Sequence, residues 1–303
     1  MLVIMGPTAS GKSALALALA TRLGGEIVSA DSMQVYRGLD IGTAKPTAAE
    51  RALVPHHLLD VLDLSEPMDA ARYVGLAETA IAEIHARGRR PVVVGGSGLY
   101  LKALLYGLDA MPPGDPALRL ELEAEYPPGA AGLARLQERL AGVDPVAAAR
   151  GGGNRRRLLR ALEVTLLTGQ PMSAHWRRNG QLRHAVSAVR LAWPRDELRR
   201  RIRARTQEML RQGWIEEAAA LIRRGLLAAP TARQALGYDL IGEHLAGKLD
   251  RTELSERLEL ATWHYARRQE TWFRRQHPEA KPLPMPADVE QMLAAVTRPD
   301  EPG

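Results

Sequence analysis

The segment Gly6-Pro7-Thr8-Ala9-Ser10-Gly11-Lys12-Ser13 spells G-x-x-x-x-G-K-[ST]. That spacing makes a loop whose backbone N–H groups wrap a phosphate chain at a helix N-terminus. Lys12 reaches the outer phosphate, and the Ser13 hydroxyl is placed to hold a magnesium ion. The apolar run before it and the helix-forming run over 14–23 after it supply the context the motif requires. Asp31, at the end of a second apolar run, is the next candidate. It has three readings: a metal ligand through water, the acceptor of a nucleophile's proton, or a turn aspartate. Most such loops serve nucleoside triphosphates and are accompanied by an aspartate that ends another strand. Here the run over 91–94 ends in Gly95 and Gly96 instead.

These residues need elements to hold them. Four strand-like runs stand out, at 2–5, 26–30, 91–94 and 186–192, with helical patterns between them, which argues an α/β fold with a parallel sheet. The first three lead into "GPTASGKS", "DSMQ" and "GGSGLY". Ligands in open α/β sheets gather beyond the carboxyl ends of strands, so these segments are expected to converge. Between about 105 and 182 the breakers "GLDAMPPGDP" and "EYPPGAAG" punctuate helical runs rich in Leu, Ala and Arg. The expected architecture is a P-loop NTPase-like α/β core over 1–104 and 183–285, with helices in its C-terminal part. An all-helical insertion occupies 105–182, and a frayed tail rich in proline and charge follows over 286–303.

The 303 residues are 46% hydrophobic but only 4% aromatic, so the core must rest on Leu, Ala, Val and Ile. No apolar run approaches the ~20 residues of a membrane span. The chain enters a strand at once, without room for a signal peptide. There is no cysteine for disulfides or thiolate metal sites. A cytoplasmic protein without membrane attachment is the expectation. His56 and His57 are adjacent, which suits packing or backbone positioning better than joint metal ligation. The net charge is +6, and all basic residues but five are arginine. Arginines crowd 150–160, 199–205 and 267–275, a distribution that favours polyanionic partners such as nucleic acid.

The middle cluster yields a sharper reading. From Leu198, the positions Leu198, Ile202 and Met209 form one apolar stripe at helical spacing. Arg200, Arg203 and Arg211 fall on the opposite, solvated side. Arg205, seven residues after Leu198, lies only about 20° off the stripe and points inward; Arg201 flanks it one turn earlier. A cation there needs an anion, either a bound diphosphate or an internal carboxylate such as Asp31 or Asp63.

Together with "DSMQVYRGLDIGTAKP", "PHHLLD", "GGSGLYLKALL" and "GNRRRLLRALEV", the phosphate loop resembles the tRNA dimethylallyltransferase (isopentenyltransferase) family over about residues 2–275. The resemblance implies transfer of a five-carbon prenyl group from dimethylallyl diphosphate to N6 of the adenosine 3′-adjacent to the anticodon. The tRNAs are those reading codons that begin with U; Mg2+ is the cofactor, and the chain is expected to be a monomer. Residues 6–13 would then hold a diphosphate leaving group, joined by Arg201 or Arg205. Asp31 would receive the amine's proton. Ser97, where the family usually has threonine, would contact the reaction centre or the bridging oxygen.

The same resemblance assigns tRNA contacts to Asp31, Ser32, Met33, Gln34 and Ser97 around the target base. It adds Arg119, the stretch Arg156, Arg157, Leu158, Leu159 and Arg160, and Gln234, Ala235, Leu236, Gly237 and Tyr238. In that stretch Leu158 and Leu159 turn inward. Asp239 stands where the family has lysine, which places an anion where a backbone contact would be. The helical insertion would clasp the anticodon stem-loop. Two other readings stay open: a P-loop small-molecule or nucleotide kinase using ATP, and a non-catalytic RNA-binding protein gated by phosphate.

Overall fold

The computed structural model describes residues 1–109, 111–176 and 181–297. Along the chain, β1 (Leu2–Met5), α1 (Lys12–Leu23), β2 (Gly25–Ser29), α2 (Ala48–Leu53) and β3 (His56–His57) come first. Then follow α3 (Ala70–Ala86), β4 (Arg90–Gly95) and α4 (Gly98–Tyr106). Four helices come next: α5 (Pro116–Glu125), α6 (Ala130–Val143), α7 (Pro145–Gly151) and α8 (Arg155–Thr168). The chain continues with β5 (Ser187–Ala192), α9 (Arg195–Arg211), α10 (Trp214–Arg223), α11 (Tyr238–Leu245) and α12 (Arg251–Gln276). It closes with β6 (Lys281–Pro284) and α13 (Val289–Thr297).

Two compact units result, one of Met1–Tyr106 with Leu182–Gly303 and one of Gly107–Gln181. The first is an α/β unit with one six-stranded sheet in the order β3-β2-β4-β1-β5-β6, parallel throughout. Alternation sorts the side chains of β1: Leu2 and Ile4 join one core cluster with Ala16, Leu19 and Met292, while Val3 and Met5 join the other with residues of α3, α4 and α10 to α12. With both faces covered, β1 is apolar at every position. The second unit packs α5 to α8 around Leu122, Leu136, Leu140, Leu158 and Leu162.

Three features depart from expectation. β3 and β6 escape a pattern search because β3 is two residues long and β6 reads "KPLP". Prolines are tolerated there because β6 is an edge strand. The tail is not wholly frayed: Val289–Thr297 forms a helix, and Met292 is fully buried in the cluster beneath α1. Three apolar residues, Val289, Met292 and Leu293, share its inward side, enough to dock a short helix. Residues 298–303 lie outside the described part.

Register decides what the sheet can do. Met5 pairs with Gly95, and Ser29 with Val94, so β1, β2 and β4 end level and release their loops side by side. The approach is tight. Ala30 N donates to Val94 O at 2.7 Å and Ser97 N to Ala30 O at 3.1 Å. A Cβ on Gly95 would sit 2.1 Å from the Ala30 carbonyl oxygen. Gly95→Ala should therefore destabilise the protein by roughly 1–3 kcal/mol, read as a lowered midpoint in urea unfolding.

Candidate active site

The phosphate loop is held in shape from behind. Ala9 and Gly11 both take left-handed backbone (φ 62° and 85°), the alternation that curls successive amides into an anion nest. A nest works only if the loop's carbonyls point away. The Arg201 Nε donates to Ala9 O at 2.9 Å, and Trp193 Nε1 donates to Ser10 O at 2.8 Å. The Arg201 guanidinium stacks on the Trp193 ring, 4.4 Å from its centroid. Pro7 O accepts from Ser10 N at 3.3 Å and from Lys12 Nζ at 3.4 Å. Thr8, Ala9, Gly11, Lys12 and Ser13 line the cavity in front, while Gly6, Pro7 and Ser10 are buried. Arg201 thus belongs to the loop's support.

The cavity has a volume of about 1150 Å³ and includes Asp31, Ser32, Met33, Arg205, Tyr265 and Gln269 in its wall. Arg205 is half-buried there, as the helical stripe implies. Burial lowers its pKa, with Asp31 acting against that and Arg201 adding to it. Burial, then the Arg205 charge, pulls the Lys12 ammonium down to about 8, partly offset by Asp31. Two cations and one carboxylate therefore share a desolvated space. Asp63, the other carboxylate considered for Arg205, pairs with Arg37 at 3.0 Å instead.

Four carboxylates line the cavity: Asp31, Asp40, Glu50 and Glu208. Asp40 accepts from Lys45 at 2.6 Å, Glu50 completes the cap of α2 with Thr47, and Glu208 pairs with Arg211. Asp31 has no ion pair among the described residues. Its Oδ1 accepts from Met33 N at 2.9 Å and Gln34 N at 3.4 Å. The turn reading of Asp31 is thus true of one oxygen, and the other remains for chemistry. Ser97, beside it, accepts from Ser32 N at 2.9 Å. Its hydroxyl ties the ends of β2 and β4 together and is not part of the cavity wall.

The far wall is the loop 40–46, fastened by two side chains. Glu217 of α10 accepts from the amides of Asp40, Ile41 and Gly42 at 3.1, 2.7 and 3.1 Å, and from Tyr238 Oη at 2.6 Å. Gln34 accepts from Ser29 Oγ and donates to the Thr43 and Ala44 carbonyls at 3.1 and 3.2 Å. The Gln34 carboxamide thus makes three hydrogen bonds within the protein while Gln34 lines the cavity. Tyr238 and Ala235 are buried at 1% and 3% exposure, and Tyr238 joins the support of this wall through Glu217. Gly237 is buried at φ 90° at the start of α11, whereas Gln234 and Leu236 do line the cavity.

In the helical unit, Arg119 and Arg160 both turn to the buried Glu163, and Arg160 also donates to Pro112 O. Their charge compensates an internal carboxylate whose pKa they hold below its usual value, against its burial. Leu158 and Leu159 are core residues, as their inward reading requires. Arg156 and Arg157 are exposed. Trp176 lies under Arg150, 4.5 Å from guanidinium carbon to ring centroid. His56 bonds to the backbone at Val54 O at 2.7 Å, whereas His57 bonds to the buried Glu26 carboxylate at 2.7 Å.

Wall or support residues that escape a sequence reading include Trp193, Glu217, Tyr265 and Gln269. The signal for the last is a polar residue at 6% exposure on the buried stripe Leu254, Leu258, Ala266, Phe273 of α12. For metal, the fit is partial. Ser13 and Asp31 are oxygen donors in the cavity wall, and no cluster of three His, Asp or Glu able to hold an ion occurs among the described residues. A cation bound mainly through phosphates, with waters retained, matches that set, and Mg2+ has this habit.

A family model described as IPP transferase matches residues 34–276. The chain is 50% identical to a protein of Anaeromyxobacter dehalogenans named tRNA dimethylallyltransferase, over all of this chain and 98% of that one. The tRNA isopentenylpyrophosphate transferase structure from Bacillus halodurans superposes with a TM-score of 0.69 at 39% identity, covering 97% of this chain and 92% of that one. A eukaryotic dimethylallyltransferase captured acting on tRNA superposes at 0.79 and 26% identity, over 98% and 76%.

The Lys12 shift has a testable sign. The loop loses its ammonium as pH rises through about 8, so anion binding should weaken above that pH. Sulfate keeps its charge throughout this range. Its affinity, measured by calorimetry in wild type between pH 7 and 9.5, should fall above pH 8, and the fall should vanish in Lys12→Arg.

Proposed function

The chain belongs to the IPP transferase family, and from that premise we propose that it moves a dimethylallyl group from dimethylallyl diphosphate to tRNA. The acceptor is N6 of the adenosine 3′-adjacent to the anticodon in tRNAs reading codons that begin with U; the products are N6-isopentenyladenosine and diphosphate. The observation that carries this reading is a phosphate nest and Asp31, a cavity carboxylate with no ion pair among the described residues and with only one oxygen taken by the turn, within one space. At about 1150 Å³ that space exceeds the ~300–1,000 Å³ that suits one drug-sized ligand, leaving room for donor and acceptor together.

The diphosphate sits against the amides of 9–13, with Lys12 and Arg205 beside it. Breaking the allylic C–O bond puts negative charge on the leaving group, and these fixed donors stabilise it. Mg2+, held by Ser13 and the phosphates, supplies further charge neutralisation when bound. The adenine must leave its stack to enter the cavity. Its exocyclic amine is a weak nucleophile, because its lone pair is delocalised into the ring. Alignment on the prenyl carbon and a proton acceptor are therefore both needed. As N6 bonds to carbon, its proton passes to the free oxygen of Asp31. Met33 and Gln34 amides fix the other oxygen and so aim the carboxylate.

A kinase using ATP is not favoured, since relatives matching the whole chain are named tRNA dimethylallyltransferase. In the helical unit, the exposed Arg156 and Arg157 at the start of α8 are placed to meet RNA phosphates. No helix among the described residues is long and apolar enough to cross a membrane. The proposed setting is the cytoplasm, with the protein acting as a monomer.

Asp31→Asn keeps the turn acceptor and removes the base. Its single-turnover rate of prenyl transfer should fall by roughly 10²–10⁴, while tRNA affinity stays within about threefold by filter binding. Unchanged turnover would remove Asp31 from the chemistry. Arg157→Ala should reduce the slope of log affinity against log salt by about 0.7–0.9, one phosphate contact. A slope equal to wild type would place that contact elsewhere.

A further inference from the structure

Gln269 reaches from the buried face of α12 to two loops that leave different strands. Its Oε1 accepts from Thr8 N at 2.8 Å, inside the phosphate loop after β1. Its Nε2 donates to Gly96 O at 2.9 Å, in the turn after β4. Thr8 is a donor and Gly96 an acceptor, so a primary amide satisfies both while staying neutral, and Tyr265 is a further hydrogen-bond partner of the amide. The fit is close: a Cβ on Gly96 would lie 2.4 Å from Nε2, which leaves glycine as the residue that admits the bridge. The turn continues into Ser97, whose Oγ accepts from Ser32 N, one residue from Asp31. Hydrogen bonds and backbone thus run from Thr8 through Gln269, Gly96, Ser97 and Ser32 to Asp31.

We infer that Gln269 is a positioning residue that sets the spacing between the leaving-group cradle and the Asp31 carboxylate. The inference rests on the prenyl-transfer reading for its catalytic consequence but not for its structural one. The amides that face the anion belong to 9–13, and Gln269 bonds to none of them. Removing it therefore leaves diphosphate binding in place and lets the cradle drift relative to Asp31. In-line displacement is steep in such distances, and a shift of about 1 Å costs ~10²-fold in rate.

The test uses the full chain with Gln269→Met, close in shape but unable to bridge, and Gln269→Glu. Inorganic diphosphate is the probe for binding. Gln269→Met should lose roughly 10–100-fold in single-turnover prenyl transfer at saturating donor, with diphosphate affinity within about threefold of wild type. Diphosphate should slow hydrogen exchange of segment 96–104 in wild type and not in Gln269→Met. In Gln269→Glu the carboxylate faces the Gly96 carbonyl, and protonation restores a donor there. Its rate relative to wild type should then rise as pH falls from 8 to 6, and this profile carries the test if the methionine variant does not fold. Rates equal to wild type with exchange coupling intact would overturn the inference. So would a loss of diphosphate affinity as large as the loss of rate. If wild type transfers no prenyl group yet shows coupling that Gln269→Met abolishes, the functional reading falls and the bridge stands.

Discussion

The site depends on where the carbonyls of one short loop point. A peptide unit presents its N–H on one side and its C=O on the other, so residues 9–13 can offer amides to an anion only if the intervening oxygens are taken up behind them. Arg201 and Trp193 take up those of Ala9 and Ser10, and the two side chains brace each other by stacking. This preorganisation matters more than net charge. Donors already aimed at an anion need no rearrangement when charge develops on it.

Electrostatics then separates the roles of the arginines. The exposed members of α9, such as Arg200, Arg203 and Arg211, pair with neighbouring glutamates at the surface. Such pairs are solvated and contribute little. Arg205 shares a desolvated wall with Lys12 and Asp31; burial lowers the pKa of both cations, and the Arg205 charge adds to the shift at Lys12 as the Arg201 charge does at Arg205. A bound polyanion would offset the clustering of positive charge there. The helical unit solves a different problem with the same residue type, since Arg119 and Arg160 neutralise the buried Glu163.

The side chains around the acceptor wall show a division of labour. Glu217, with three backbone amides and the Tyr238 hydroxyl, acts as an anchor for the loop 40–46. Gln34 does the same from the other side. Both are polar groups inside the protein whose hydrogen bonds are made within it, and leaving either unpaired would be costly. Motif residues such as Gln34 and Tyr238 therefore shape the cavity by fastening the loop 40–46, Gln34 directly and Tyr238 through Glu217.

Much of this was legible beforehand. Leu2–Met5 with the glycine-lysine loop, the strand ends carrying Asp31 and Ser97, and the inward Arg205 follow from local spacing, which a sequence displays directly. The α/β class with a parallel sheet follows from alternating apolar runs and helices. Hidden from it were β3 and β6, too short or too proline-rich to show a period, and the helix over 289–297, whose few apolar positions gain meaning only beneath α1.

What one chain of letters settles is which residue types recur at which separations, and hence the nest, the stripe of α9 and the family motifs. Partners distant along the chain were decided by the fold alone: Gln269 with Thr8, 261 residues apart, Glu217 with the amides of 40–42, and Arg119 with Glu163. No local spacing encodes such a contact, because each arises only when packed elements bring an unmet donor and acceptor within about 3 Å, and a buried polar group must find one.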